Sequence, residues 1–138
     1  MTNPFTQVFT DKAAAAAPAT PQQEREAFIQ AFLTHASGYW NMLDSAGKAA
    51  QNIGYAAHLH DERSHPFKPW MQLTLTSNAP MALPHLFVLS ADAGPRHVVL
   101  SHANPRHPRQ EIGTYSIEAL TTDALQDALT TWIRDDVC

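Results

Sequence analysis

The sequence predicts an α+β domain: a long N-terminal helix, an antiparallel sheet of four to five strands, and a C-terminal helix packed on the sheet. Three observations carry this. Apolar residues at helical spacing run from Phe28 to Ala50 and again from Leu125 to Ile133. Between them lie short runs rich in β-branched and aromatic residues, separated by turn residues. Strands grouped between helices, and not alternating with them, favour an antiparallel sheet over parallel βαβ units.

The first helix has a clear start. Thr20-Pro21-Gln22-Gln23 places a capping hydroxyl, a proline at the first helical position and a glutamine at the third. Glu24 follows in the first turn, where the helix dipole favours an anion. Phe28, Phe32, Tyr39, Leu43, Ala46 and Ala50 form the stripe, and Ala27, Ala31 and Ala36 widen it. Gly38 interrupts the pattern at a cost of about 1 kcal/mol relative to Ala, which points to a bend or a close approach by another element. The helix is expected to end between Gly47 and Gly54.

Ile53 to His60 reads as a short strand, and His60 to Pro69, with Pro66 and Pro69, as a loop. Trp70 to Ser77 alternates: Met71, Leu73 and Leu75 point inward, while Trp70, Gln72, Thr74 and Thr76 point the other way. Asn78-Ala79-Pro80 turns the chain. The sheet is organised around Leu83 to His102, two apolar runs flanking Asp92-Ala93-Gly94-Pro95. Neither Leu86 to Leu89 nor Val98 to Leu100 alternates, so both faces of this hairpin are expected to be covered. Ala103 to Gln110, with Pro105 and Pro108, reads as irregular, and Ile112 to Ile117 as a last strand. Thr122 caps the final helix, whose stripe is Leu125, Ala128, Leu129, Trp132 and Ile133. Asp135 and Asp136 fall at its C-terminal end, where the dipole disfavours anions.

The chain divides into a flexible arm, 1–19, and a single domain, 20–138. Its 138 residues suffice for one core. In the arm, Phe5, Val8 and Phe9 are candidate anchors for a partner, against the default of a plain tail. Net charge is −4 and charged residues are 16%, which gives no basis for nucleic acid as the main partner. No apolar run is long enough to span a membrane, and no secretory signal is seen in the first ten residues. The one cysteine, Cys138, excludes a disulfide framework within the chain and fits a cytoplasmic setting.

Three groups of residues are candidates for function. Eight histidines are present, and His58, His60 and His65 surround Asp61 and Glu62. Two imidazoles one residue apart on a strand share a face, a spacing that can chelate zinc. A metallohydrolase of the His-x-His-x-Asp-His kind needs Asp at position 62 and His at 63, where this chain has Glu62 and Arg63. Polar loop histidines are therefore the expectation, with no metal or other cofactor. The second group is Arg96, Arg106, Arg109 and His107, with His97 and His102 nearby and no acid among them. Gathered at one end of the hairpin, the arginines would hold carboxylates or phosphates by bidentate contacts; otherwise they are solvated loop residues. The third is Tyr39 and Trp40, which either line a groove beside Gly38 or pack in the core.

No nucleophile elbow, phosphate loop or dinucleotide fingerprint occurs; this does not exclude an enzyme, but it names no catalytic residue, and the reading leans to a binding protein. The expected function is that of a protein-binding module, an accessory, chaperone, inhibitor or immunity-type protein that occupies a partner's surface. The alternatives are a small hydrolase using His58, His60 and His65, with or without metal, and a nucleic-acid-associated regulator using the arginines. The expected partner is another protein bearing an acidic patch, and an exposed sheet edge suggests a homodimer. In outline, a small α+β layout with flanking helices is similar to that of secretion chaperones.

Overall fold

The structure, a computed structural model, describes residues 20–137. The arm with Phe5, Val8 and Phe9, and Cys138, lie outside the described residues. Helix α1 spans Pro21–Asn52. The capping box forms as its residues require: Thr20 Oγ1 accepts from the Gln23 N–H at 3.2 Å, and Gln23 Oε1 accepts from the Thr20 N–H at 3.0 Å. Gly54, at φ 95°, turns the chain out of the helix in a conformation that costs a side-chain-bearing residue.

Five strands follow as a simple antiparallel meander, β1-β2-β3-β4-β5. They are β1 Ala56–Glu62, β2 Trp70–Thr76, β3 His85–Asp92, β4 His97–Asn104 and β5 His107–Tyr115. Helix α2, Thr122–Trp132, closes the fold and runs into a π-helical turn, Ile133–Val137.

Both helices lie on one face of the sheet. That face presents Met71, Leu73 and Leu75 from β2, Phe87, Leu89 and Ala91 from β3, and Val98 and Leu100 from β4. Against them pack Phe28, Phe32, Tyr39 and Leu43 of α1 and Leu125, Leu129 and Trp132 of α2. The Phe87 and Trp132 rings sit 5.3 Å apart between sheet and helix. Tyr39 is 1% exposed, and its hydroxyl donates to the Leu120 carbonyl at 2.9 Å, pinning α1 to the approach of α2. Burial pushes that phenol up to about 12. Gly38 marks no tight approach: a Cβ there would lie 3.6 Å from Thr122 Cγ2 at the start of α2, an ordinary contact, and the helix runs through it without a break.

Four expectations are corrected. Ala27 is exposed, and the buried stripe of α1 takes in Ile29 and Gly47 instead. Ala103 to Gln110 is not a loop throughout: β4 runs to Asn104, a tight turn follows, and β5 begins at His107, with a register shift between His102 and Asn104 opposite Pro108 and Arg109. Asn104 Oδ1 accepts the N–H groups of Arg106 and His107, both at 2.9 Å, and so closes the turn. Pro108 is tolerated because β5 is an edge strand, where a missing donor breaks no ladder. The α2 cap is Thr121, not Thr122; its Oγ1 accepts from the Ala124 N–H at 3.1 Å. Finally, the hairpin is covered on one face only among the described residues. The other face carries Leu86, Val88 and Val99, which is why the two runs fail to alternate.

Candidate binding surface

The uncovered face can be read from the strand register. Paired residues of antiparallel strands project to the same side. One row across the sheet is therefore His60, Gln72, Val88, Ser101 and Glu111. The next is Glu62, Trp70, Ser90, Val99 and Thr114. A third begins His58, Thr74, Leu86 and Ala103. These rows make a mixed surface: Trp70, Leu86, Val88 and Val99 are apolar, with Gln72, Ser90 and Ser101 between them.

Its centre is a cleft of about 610 Å³ floored by Val88 and Ser101 and flanked by Trp70 and Val99. Val88 is 3% exposed and Ser101 4%, and among the described residues no helix covers them. Trp70, Leu86 and Val99 beside them are half-buried. Lys68, Asp92, Arg109 and Glu111 stand around the cleft. Lys68 and Asp92 approach at 3.9 Å; Glu111 accepts from Thr114 Oγ1 at 2.8 Å. Arg109 forms no ion pair with a described residue. The rim thus holds two cations and two anions around an apolar floor, which suits an apolar body flanked by charges of either sign.

The structure separates the three candidate arginines. Arg96, at φ 60°, lies in the β3–β4 turn and pairs with Glu24 of α1 at 3.2 Å. Arg106 lies in the β4–β5 turn, at the other end of β4, eight residues or roughly 26 Å away. Arg109 is on the uncovered face. Arg106 and His107 line a smaller cleft of about 390 Å³ with Met81, Leu83, His85 and Asp136. Tyr39 is in the core. Trp40 is half-buried, with the Arg63 guanidinium 4.8 Å from its ring centroid. Arg63 also pairs with Asp61.

His58 and His60 share the uncovered face at the sheet edge. His65 does not join them: its Nδ1 accepts the N–H groups of Phe67 and Lys68 at 3.2 and 2.9 Å and shapes the β1–β2 loop. Among the described residues, no group of three or more His, Cys, Asp or Glu is arranged to hold a metal ion.

Two features escaped the sequence reading. The uncovered face did leave a signal, the failed alternation of β3 and β4, but that signal names no occupant. The second is Asp136, whose position after α2 has a structural account. The π-helical turn carries it beneath the covered face, where Oδ2 lies 3.2 Å from His85 Nδ1 and 3.9 Å from His102 Nδ1. Asn104 Nδ2 donates to Oδ1 at 3.4 Å. No local spacing announces this cluster, because it joins β3, β4 and the C-terminal turn.

No family model, no curated protein and no solved structure matches this chain. Among the described residues, no helix is long and apolar enough to cross a membrane.

Proposed function

We propose that this chain is a protein-binding module of the cytoplasm, an accessory, chaperone, inhibitor or immunity-type protein that acts by surface occupation and not by catalysis. Its working surface is the uncovered face of the sheet. The observation that supports this reading is the group of half-buried apolar residues Trp70, Leu86 and Val99 on that mixed face, which neither helix covers. The half-buried side chains of Trp70, Leu86 and Val99 gain free energy when water is removed from them, at roughly 25 cal/mol per Å². Arg109, which forms no ion pair with a described residue, offers a bidentate site for a carboxylate of the partner.

The test is affinity capture from the native cell with the wild-type chain, Val99→Asp and Arg109→Glu. A protein retained in stoichiometric amount by wild type and lost by both variants, at unchanged folding, supports the reading. Equal retention by all three moves the binding surface elsewhere. Capture of nucleic acid with a steep salt dependence, abolished by Arg109→Glu, replaces the reading with that of a nucleic-acid regulator.

A further inference from the structure

We infer that the occupant of the uncovered face is a second copy of this chain, giving a four-layer α/β/β/α dimer in which two sheets pack face to face. This rests on the reading of that face as a protein-binding surface and names what binds there.

Three arguments select a copy of the chain. The first is size. Five strands spaced about 4.8 Å apart, of seven to nine residues rising about 3.3 Å each, make a face of roughly 24 by 25 Å. Its footprint is thus roughly 600 Å², and side-chain relief brings the surface buried toward the about 800 Å² per partner of a standard interface. The second is shape and composition. Sheets pack about 10 Å apart through interdigitating side chains, and the face supplies them in the half-buried Trp70, Leu86 and Val99. Ala103 and Ser90 leave gaps into which a large residue of the other copy can fit. The third is charge. Lys68 and Arg109 stand with Asp92 and Glu111 around the cleft, and Glu62 lies beyond Trp70 at the sheet edge, so the face carries both signs. A rim of one sign would repel its own copy; a rim of both signs is complementary to itself under a two-fold axis. A foreign protein that competes for this face dissociates the dimer, so chain concentration sets how open the face is to other partners.

The experiment uses charge reversal in trans. Arg109→Glu gives the rim an anionic excess, and Glu111→Arg gives it a cationic one. Both residues are exposed, so the fold is expected to tolerate either change, and circular dichroism with melting checks this. Sedimentation equilibrium of wild type at micromolar concentration is expected to give twice 15.2 kDa, about 30 kDa. Each variant alone is expected to raise the dimer Kd by about tenfold or more. The equimolar mixture is expected to regain the 30 kDa mass, because opposite rims then face one another.

A wild type that stays at 15.2 kDa, or a dimer that neither variant weakens, overturns the inference. A monomeric wild type whose face variants still lose a captured protein leaves the protein-binding reading standing, with a foreign chain as occupant. A monomer whose face variants lose no captured protein overturns both.

Discussion

Asp136→Ala is expected to loosen the C-terminal turn and to destabilise the whole domain, and its magnitude can be worked from the contacts. The carboxylate accepts from His85 Nδ1 at 3.2 Å, and from Asn104 Nδ2 at 3.4 Å, a length at which little is gained. His102 Nδ1, at 3.9 Å, is beyond hydrogen-bond reach and has no other partner although buried. One good hydrogen bond to an ionised group contributes about 1.5–3 kcal/mol net, and Asp136 is only 22% exposed, so screening removes little of it. The loss leaves the His85 imidazole without its acceptor. A destabilisation of about 2 kcal/mol follows, or a melting temperature lower by about 8 °C for a domain of this size. Asn104 still closes the β4–β5 turn through Arg106 and His107, so the damage is expected at 133–137 and not at 104–107. Hydrogen exchange resolves the two segments. The control is the neighbouring Asp135→Ala. Asp135 is 63% exposed and pairs only with Arg134, so it is expected to change stability by less than about 0.5 kcal/mol. Equal melting temperatures for the two variants would refute the role assigned to Asp136.

Three further outcomes are expected. Gly38→Ala fills space that ends at Thr122 Cγ2, 3.6 Å away, an ordinary contact; with the helix-propensity gain, thermal denaturation should show a stabilisation of about 0.5–1 kcal/mol. Tyr39, held protonated to about 12 by burial, contributes stability that is whole below pH 10 and is lost as pH rises from 10 toward 12. Tyr39→Phe is expected to flatten that alkaline decline in urea titrations, and to cost about 1–2 kcal/mol at neutral pH by leaving the Leu120 carbonyl unpaired. Protein purified without added metal is expected to hold no stoichiometric zinc by elemental analysis. One zinc per chain, lost on His58→Ala, would move the function toward a metal-dependent hydrolase.

The sequence by itself determined the elements whose causes are local. The Thr20 capping box, the helical stripe through Phe32, Tyr39 and Leu43, and the alternation of β2 each follow from neighbours a few residues apart. The order helix, strands, helix followed from them, and with it the α+β class and the antiparallel sheet. Ends set by a competing choice were less legible. Two threonines stand side by side at the start of α2, and only Thr121 takes the extended backbone that a cap needs. Pro108 argued for irregular chain, yet an edge strand accommodates it, and whether a strand lies at an edge is a property of the whole sheet.

Tertiary structure alone decided the candidate site. The unbroken apolar runs Leu86 to Leu89 and Val98 to Leu100 announced that both faces of the hairpin are apolar. The strand register decides which residues meet on each, and it brings Trp70, Val88, Val99 and Arg109 together on the face opposite α1 and α2. The arginines show the same limit. Arg96 and Arg106 are ten positions apart in a basic stretch, but a strand between them holds them at opposite ends of the sheet. Asp136 reaches His85 across 51 positions because the C-terminal turn doubles back under β3. Local sequence sets which residues a strand or helix turns to each side; the packing of those elements sets which sides meet, and the site is made of sides that meet.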